Sequence, residues 1–153
     1  MPNPKSAAQI AGHPFHPMLV TFPIAFFVGT LLTDIAYRVT SDPFWARVSF
    51  WLLAAGLVMA ALAALAGLTD FFGDRLIRAI STAWYHMIGN VTAVVLSLIS
   101  FWMRYRDGDT TDYPTVLWLS VVVVLILVVT GWLGGELVFK HRVGVSEEIP
   151  GPR

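Results

Sequence analysis

The sequence predicts an all-α protein: an integral membrane bundle of four antiparallel transmembrane helices, with both termini on the same side. Three observations carry this reading. Only 13% of the 153 residues are charged and 56% are hydrophobic, whereas a soluble domain carries about a quarter charged residues. The charge is confined to short segments separated by four apolar runs, each near the roughly 20 residues that a helix needs to cross a bilayer core. The connections are short, which sets successive helices antiparallel. The pattern is continuous, so 1–153 reads as a single four-span domain.

The first span covers about 17–37 and is interrupted only by Asp34. The residues before it are too polar for a signal-peptide core, and no small-x-small cleavage site follows, so the span is expected to be retained. Pro23 deletes a backbone hydrogen bond and is expected to kink the helix, opening space beneath His16. The second span, about 48–69, follows a short loop in which Pro43 suits a helix start. The connection 70–78 leaves room for a short interfacial helix before the third span, about 79–103. A loop rich in Asp, Gly and Thr (104–114) leads to the fourth, about 113–135. Lipid offers no partners to unpaired amides, so all four are helices rather than open strands.

Small residues recur at four-residue spacing: Gly56, Ala60 and Ala64, then Ala63 and Gly67, and on the fourth helix Gly131 and Gly135. They predict close helix packing within the bundle, with a homodimer face as the alternative. Six basic residues (Lys5, Arg75, Arg78, Lys140, Arg142, Arg153) fall on the side of the termini. Four (Arg38, Arg47, Arg104, Arg106) fall on the other. This lean places both termini in the cytoplasm.

The chain has no cysteine, which excludes disulfides, thiolate ligands, cysteine-held iron–sulfur clusters and covalently attached haem. Net charge is zero and no basic run occurs, so nucleic acid is not an expected partner. There is no nucleophile elbow, phosphate loop or helical zinc-protease motif, hence no catalytic assignment; a redox component stays open.

The four histidines carry the candidate chemistry. His13 and His16 precede the first span, His86 lies near the start of the third, and His141 follows the fourth. Antiparallel topology brings all of these places to one membrane face. Asp70, Asp74, Glu136 and Asn90 belong to the same end and are candidate auxiliaries, although Glu136 and Lys140 also form a favourable i,i+4 pair. His86, Asn90, Ala93 and Ser97 form a small, polar stripe that should face the bundle interior. The spacing from His16 to Asp34 equals that from His86 to Arg104. Each is a whole number of helical turns (about five), so each pair shares a face. If both histidines face inward, Asp34 and Arg104 meet at the far end as a structural ion pair, with Arg38 as the competing partner.

Neutral imidazole ligates zinc, copper and iron, and imidazoles on facing helices hold haem iron. The expected function is therefore a histidine site for b-type haem or a divalent transition metal, used in electron transfer with a redox partner or membrane quinone. A non-redox ion or metal transport module, or a purely structural role, is the alternative.

Four signatures resemble a known family: His13-Pro14-x-His16-Pro17-Met18-Leu19-Val20-x-Phe22-Pro23-Ile24, Ala66-Gly67-Leu68-x-Asp70, His86-x-x-x-Asn90, and Gly131-Trp132-Leu133-Gly134-Gly135-Glu136-Leu137-Val138 with the trailing His141-x-Val143-Gly144-Val145. Together they resemble the bacterial membrane proteins of domain of unknown function 2231. The resemblance spans nearly the whole chain. It implies a four-span membrane domain, fused in some relatives to Rieske-type or cytochrome-like modules, and so points toward redox chemistry.

Overall fold

The computed structural model describes residues 3–108 and 111–145; Arg153, which enters the charge count above, lies outside them. Among the described residues, four helical stretches are long and apolar enough to cross a membrane: Phe15–Thr40, Pro43–Gly73, Ser81–Asp107 and Tyr113–Phe139. They are longer than the charge-free runs because charged residues at their ends stay helical. The first stretch consists of α1 (Phe15–Leu19) and α2 (Thr21–Thr40). The second and third are α3 (Pro43–Gly73) and α5 (Ser81–Asp107), joined by the one-turn α4 (Arg75–Arg78), and the fourth is α6 (Tyr113–Phe139). The break between α1 and α2 falls at Val20, one residue after Leu19, whose carbonyl is the i−4 acceptor that Pro23 has no N–H to use.

Two ends illustrate local control. Ser41 closes α2 in the left-handed region (φ 56°) with its N–H on the Tyr37 carbonyl. Asp42 then caps α3, accepting from the Phe44 N–H, with Pro43 as the first helical residue, where its missing N–H costs nothing. The sequence pattern gives no sign of a short hairpin ahead of α1. There β1 (Gln9–Ile10) pairs antiparallel with β2 (His13–Pro14). Ala11 (φ 49°) and Gly12 (φ 78°) turn between them, the two positive-φ positions of a tight hairpin turn.

The helices close a ring: α2 packs on α3 and α6, while α5 packs on α6 and α3. The interior is small and polar where the outside is large and apolar. Ser49, Val116, Asp34, Ala93 and Ser97 are buried, while Trp51, Leu65, Leu125, Val128 and Trp132 are exposed, as expected for a surface in lipid. Gly56 permits a close approach of α2 and α3, since a Cβ there would lie 2.7 Å from the Phe27 ring. Gly131 and Gly135 do not serve this purpose: a Cβ at either meets nothing within 4 Å. Ala64 is exposed too. These three small residues therefore point away from the bundle interior, contrary to expectation.

Asp70 and Asp74 anchor the chain's early segment. Oδ1 of Asp70 accepts from Ser6 Oγ (2.8 Å) and the Ala8 N–H (2.7 Å). Oδ2 of Asp74 accepts from the Lys5 N–H (2.8 Å). The other end joins them: the Gly144 N–H donates to the Pro4 carbonyl and Asn3 Nδ2 donates to the Val145 carbonyl. Asp70→Ala strands two donors, so a loss of about 1–3 kcal/mol is expected. Denaturant unfolding checks the loss, and limited proteolysis should show faster cleavage ahead of Phe15.

Candidate functional site

Two of the four histidines meet. The rings of His16 and His86 are 6.0 Å apart between centroids, with planes at 85°. Each is seated in the same way, by the opposite helix of its own hairpin. His16 Nδ1 lies 2.9 Å from the Ala63 carbonyl on α3, and its ring packs on Gly67, where a Cβ would sit 2.8 Å from Nδ1. His86 Nδ1 lies 2.9 Å from the Thr130 carbonyl on α6, and its ring packs on Gly134, where a Cβ would sit 3.1 Å from Cε1. In both cases the accepting carbonyl is one helical turn before the glycine. The two hairpins thus carry equivalent half-sites.

The carbonyl partners decide the tautomers. A carbonyl oxygen only accepts, so each Nδ1 carries a proton, and in a neutral ring it is Nε2 that holds the lone pair. Asn90 reinforces this at His86: Nδ2 donates to the His86 carbonyl (2.8 Å) and approaches Nε2 (3.3 Å), and Oδ1 accepts from Thr130 Oγ1 (3.2 Å).

The other two histidines do not join. His13 is exposed on the hairpin with Nδ1 3.0 Å from the Ala11 carbonyl. His141 follows α6 and lines a surface cleft with Pro4, Leu76, Ile80, Lys140 and Arg142. Among the described residues no three His, Cys, Asp or Glu side chains gather as a metal site. The expected four-histidine cluster is therefore a pair, because topology places all four at one end of the bundle without turning them toward one point. The acidic auxiliaries are committed elsewhere: Asp70 and Asp74 to the early segment, and Glu136 to Lys140 at 3.6 Å.

At the far end, Asp34 and Arg104 form a buried bidentate pair, Nη1 to Oδ1 and Nη2 to Oδ2, both 2.8 Å. Ser49 Oγ donates to Oδ1 (2.5 Å) and Ser120 Oγ to Oδ2 (2.7 Å). Arg104 also reaches Ser49 Oγ (2.7 Å) and Ser100 Oγ (3.3 Å). The carboxylate's acceptor sites are filled, which offsets the cost of burying charge. Arg38 stays exposed. The sequence pattern marks Ala63 and Gly67 only as a close-packing pair and gives no sign of Ser49, Ser100, Ser120 or the seat at Gly134.

The family model described as "Predicted membrane protein (DUF2231)" matches residues 12–147. The chain belongs to this family. The match takes in both half-sites and the ion pair. No curated protein and no solved structure matches the chain.

Proposed function

We propose that this DUF2231 protein is a membrane redox module in which His16 and His86 would hold a b-type haem. The observation that carries the reading is the matched pair of half-sites. Two rings from two hairpins are both held through Nδ1 by a backbone carbonyl and lie 6.0 Å apart, with Nε2 of His86 met by the Asn90 amide that a bound metal would displace. With metal–nitrogen bonds of about 2.0–2.1 Å, two imidazoles at that separation would be close enough to share one metal atom. Donor count favours haem iron, which takes two protein imidazoles, over zinc, which takes three or four protein ligands. With no cysteine in the chain, the group would be held non-covalently.

When bound, the haem would supply one-electron chemistry. The chain's own work is to fix the ring planes and, through the carbonyl hydrogen bonds, to raise the basicity of each Nε2. Placement at one end of the bundle suits exchange with an aqueous redox partner or a quinone at the bilayer surface. The basic-residue balance supports the histidine face and both termini toward the cytoplasm, and the family resemblance points to a bacterial inner membrane.

A non-redox ion- or proton-handling site is the second reading. It is favoured by Asn90, whose amide already approaches Nε2 of His86. Absorption spectra and metal content of protein purified from haem-replete cells separate the two. The redox reading expects a Soret band with about one haem per chain, lost in both His16→Ala and His86→Ala. Stoichiometric copper or zinc without a Soret band would replace haem by a bare ion. Neither signal, with altered ion tolerance in the same variants, would overturn the redox reading in favour of the second.

A further inference from the structure

The two hairpins, α1 to α3 and α5 with α6, match beyond their histidine seats. Along the first helix of each, His16 and Asp34 answer to His86 and Arg104; along the second, Ala63 and Gly67 answer to Thr130 and Gly134. The buried faces keep the same register. Thr30 lies one turn before Asp34 as Ser100 does before Arg104, and Ser49 on α3 corresponds to Val116 on α6. The ring closes as a two-fold relation requires, with α2 against α6 and its equivalent α5 against α3. Both first helices leave the same face of the bundle, so the axis runs along the membrane normal, as between parallel membrane repeats. His16 meets His86 across this axis at one end, and Asp34 meets Arg104 across it at the other.

Beside the histidine, the likeness breaks. The first hairpin carries Leu19, Val20 and Ala63 where the second carries Gly89, Asn90 and Thr130. The second set forms a chain of contacts. Gly89 makes room for Thr130, since a Cβ on it would lie 2.5 Å from Thr130 Cγ2. Thr130 Oγ1 donates to Asn90 Oδ1 (3.2 Å). Of the two hydrogens on Asn90 Nδ2, one goes to the His86 carbonyl (2.8 Å) and the other faces Nε2 of His86 (3.3 Å). A reversed amide would set Oδ1 against a carbonyl that only accepts, so the network fixes this orientation. Val20, at the corresponding place after His16, has no side-chain donor; its N–H serves the helix, on the His16 carbonyl (3.1 Å).

We propose that the domain uses one helical hairpin twice about this axis, and that Asn90, seated by Thr130 over Gly89, makes the two half-sites unequal by latching Nε2 of His86. The latch holds the His86 ring at both nitrogens, whereas among the described residues His16 is held at Nδ1 alone. One consequence rests on the haem reading above: His16 is the half-site that engages first, and His86 gives up a hydrogen bond before its Nε2 can bind. Asn90 is thus a positioning residue that sets the order and the strength of engagement.

Nitrogen-15 NMR of histidine-labelled protein in bilayers, with no cofactor added, reads the latch. An unprotonated ring nitrogen that accepts a hydrogen bond resonates at lower frequency, so Nε2 of His86 should lie below Nε2 of His16 in the wild type. Asn90→Val, which installs the residue of the first hairpin, should abolish the difference; Thr130 keeps the Leu127 carbonyl (3.4 Å) as a partner, so no hydroxyl is stranded. Gly89→Ala should reduce the difference, because its added methyl displaces Thr130. Val20→Asn should lower the frequency of His16 Nε2, since equivalent hairpins set an amide in the same place. Equal wild-type frequencies, or a difference that survives Asn90→Val, overturn the latch. A Val20→Asn protein with wild-type His86 signals and an unmoved His16 overturns the equivalence of the hairpins. Haemin titration followed by absorption is the second readout. Asn90→Val should bind haemin about two- to tenfold more tightly, the net worth of one hydrogen bond. Unchanged or weaker binding, as a merely supporting Asn90 predicts, overturns the latch. If neither protein takes up haemin, the haem reading falls and the NMR comparison still decides the latch.

Discussion

Asp34→Ala is expected to cost about 3–5 kcal/mol of stability, the largest loss from a single truncation in this chain, because it leaves the Arg104 guanidinium buried without its counter-charge. Both oxygens of Asp34 are filled by Arg104, Ser49 and Ser120, and the pair is almost wholly buried. Arg104→Ala should cost a similar amount, for the mirror-image reason. The double variant should fall well short of the sum, with a coupling on the order of 2 kcal/mol, because the second deletion removes a charge that the first had already stranded. Reversible unfolding of the four proteins in mixed micelles measures this cycle. Additive losses would mean that the two charges act separately. A charge reversal is a further check: Arg104→Asp should partly rescue Asp34→Arg.

The second large effect is expected at Gly67. A single added methyl group there would lie 2.8 Å from Nδ1 and 2.9 Å from Cε1 of His16. The neighbour is a ring seated on the same helix by its hydrogen bond to Ala63, so it gives only by leaving its seat. Gly67→Ala should cost about 1–3 kcal/mol through overpacking and abolish any cofactor signal that depends on His16. Gly131→Ala is the matched control, since its added methyl meets nothing within 4 Å; it should leave both stability and signal near wild type. Equal behaviour of the two variants in unfolding and in absorption spectroscopy would remove Gly67 from the site.

How much of this is legible in the sequence follows from which physical signals act locally. The four spans are legible because hydropathy and charge are summed over the whole length of each apolar run. The pairing of Asp34 with Arg104 can be read because each lies a whole number of helical turns from a histidine, and that histidine marks the inward face. The glycine seat on α6 cannot be read. That helix is apolar on every side, so nothing in its pattern tells Gly134 from Gly131 or Gly135. His13 and His141 fall at the correct end, but both lie outside the spans, in a hairpin and in a terminal turn. There helical phase gives no direction. The hairpin around Ala11 and Gly12 has two-residue strands, too short to show a period. Asp70 and Asp74 resemble ligands because charge near a histidine face suggests a site. Their hydrogen bonds to Ser6, Ala8 and Lys5 join segments far apart in sequence, which no local pattern encodes.

The tautomers of the two central imidazoles are the most direct test, since the proposed site rests on two Nδ1–H donors that leave Nε2 the unprotonated nitrogen of each ring. Nitrogen-15 NMR of histidine-labelled protein in bilayers, assigned with His16→Ala and His86→Ala, reads the protonated nitrogen of each ring. The account expects His16 and His86 both to be neutral and protonated at Nδ1. A proton on Nε2 of either ring would contradict it.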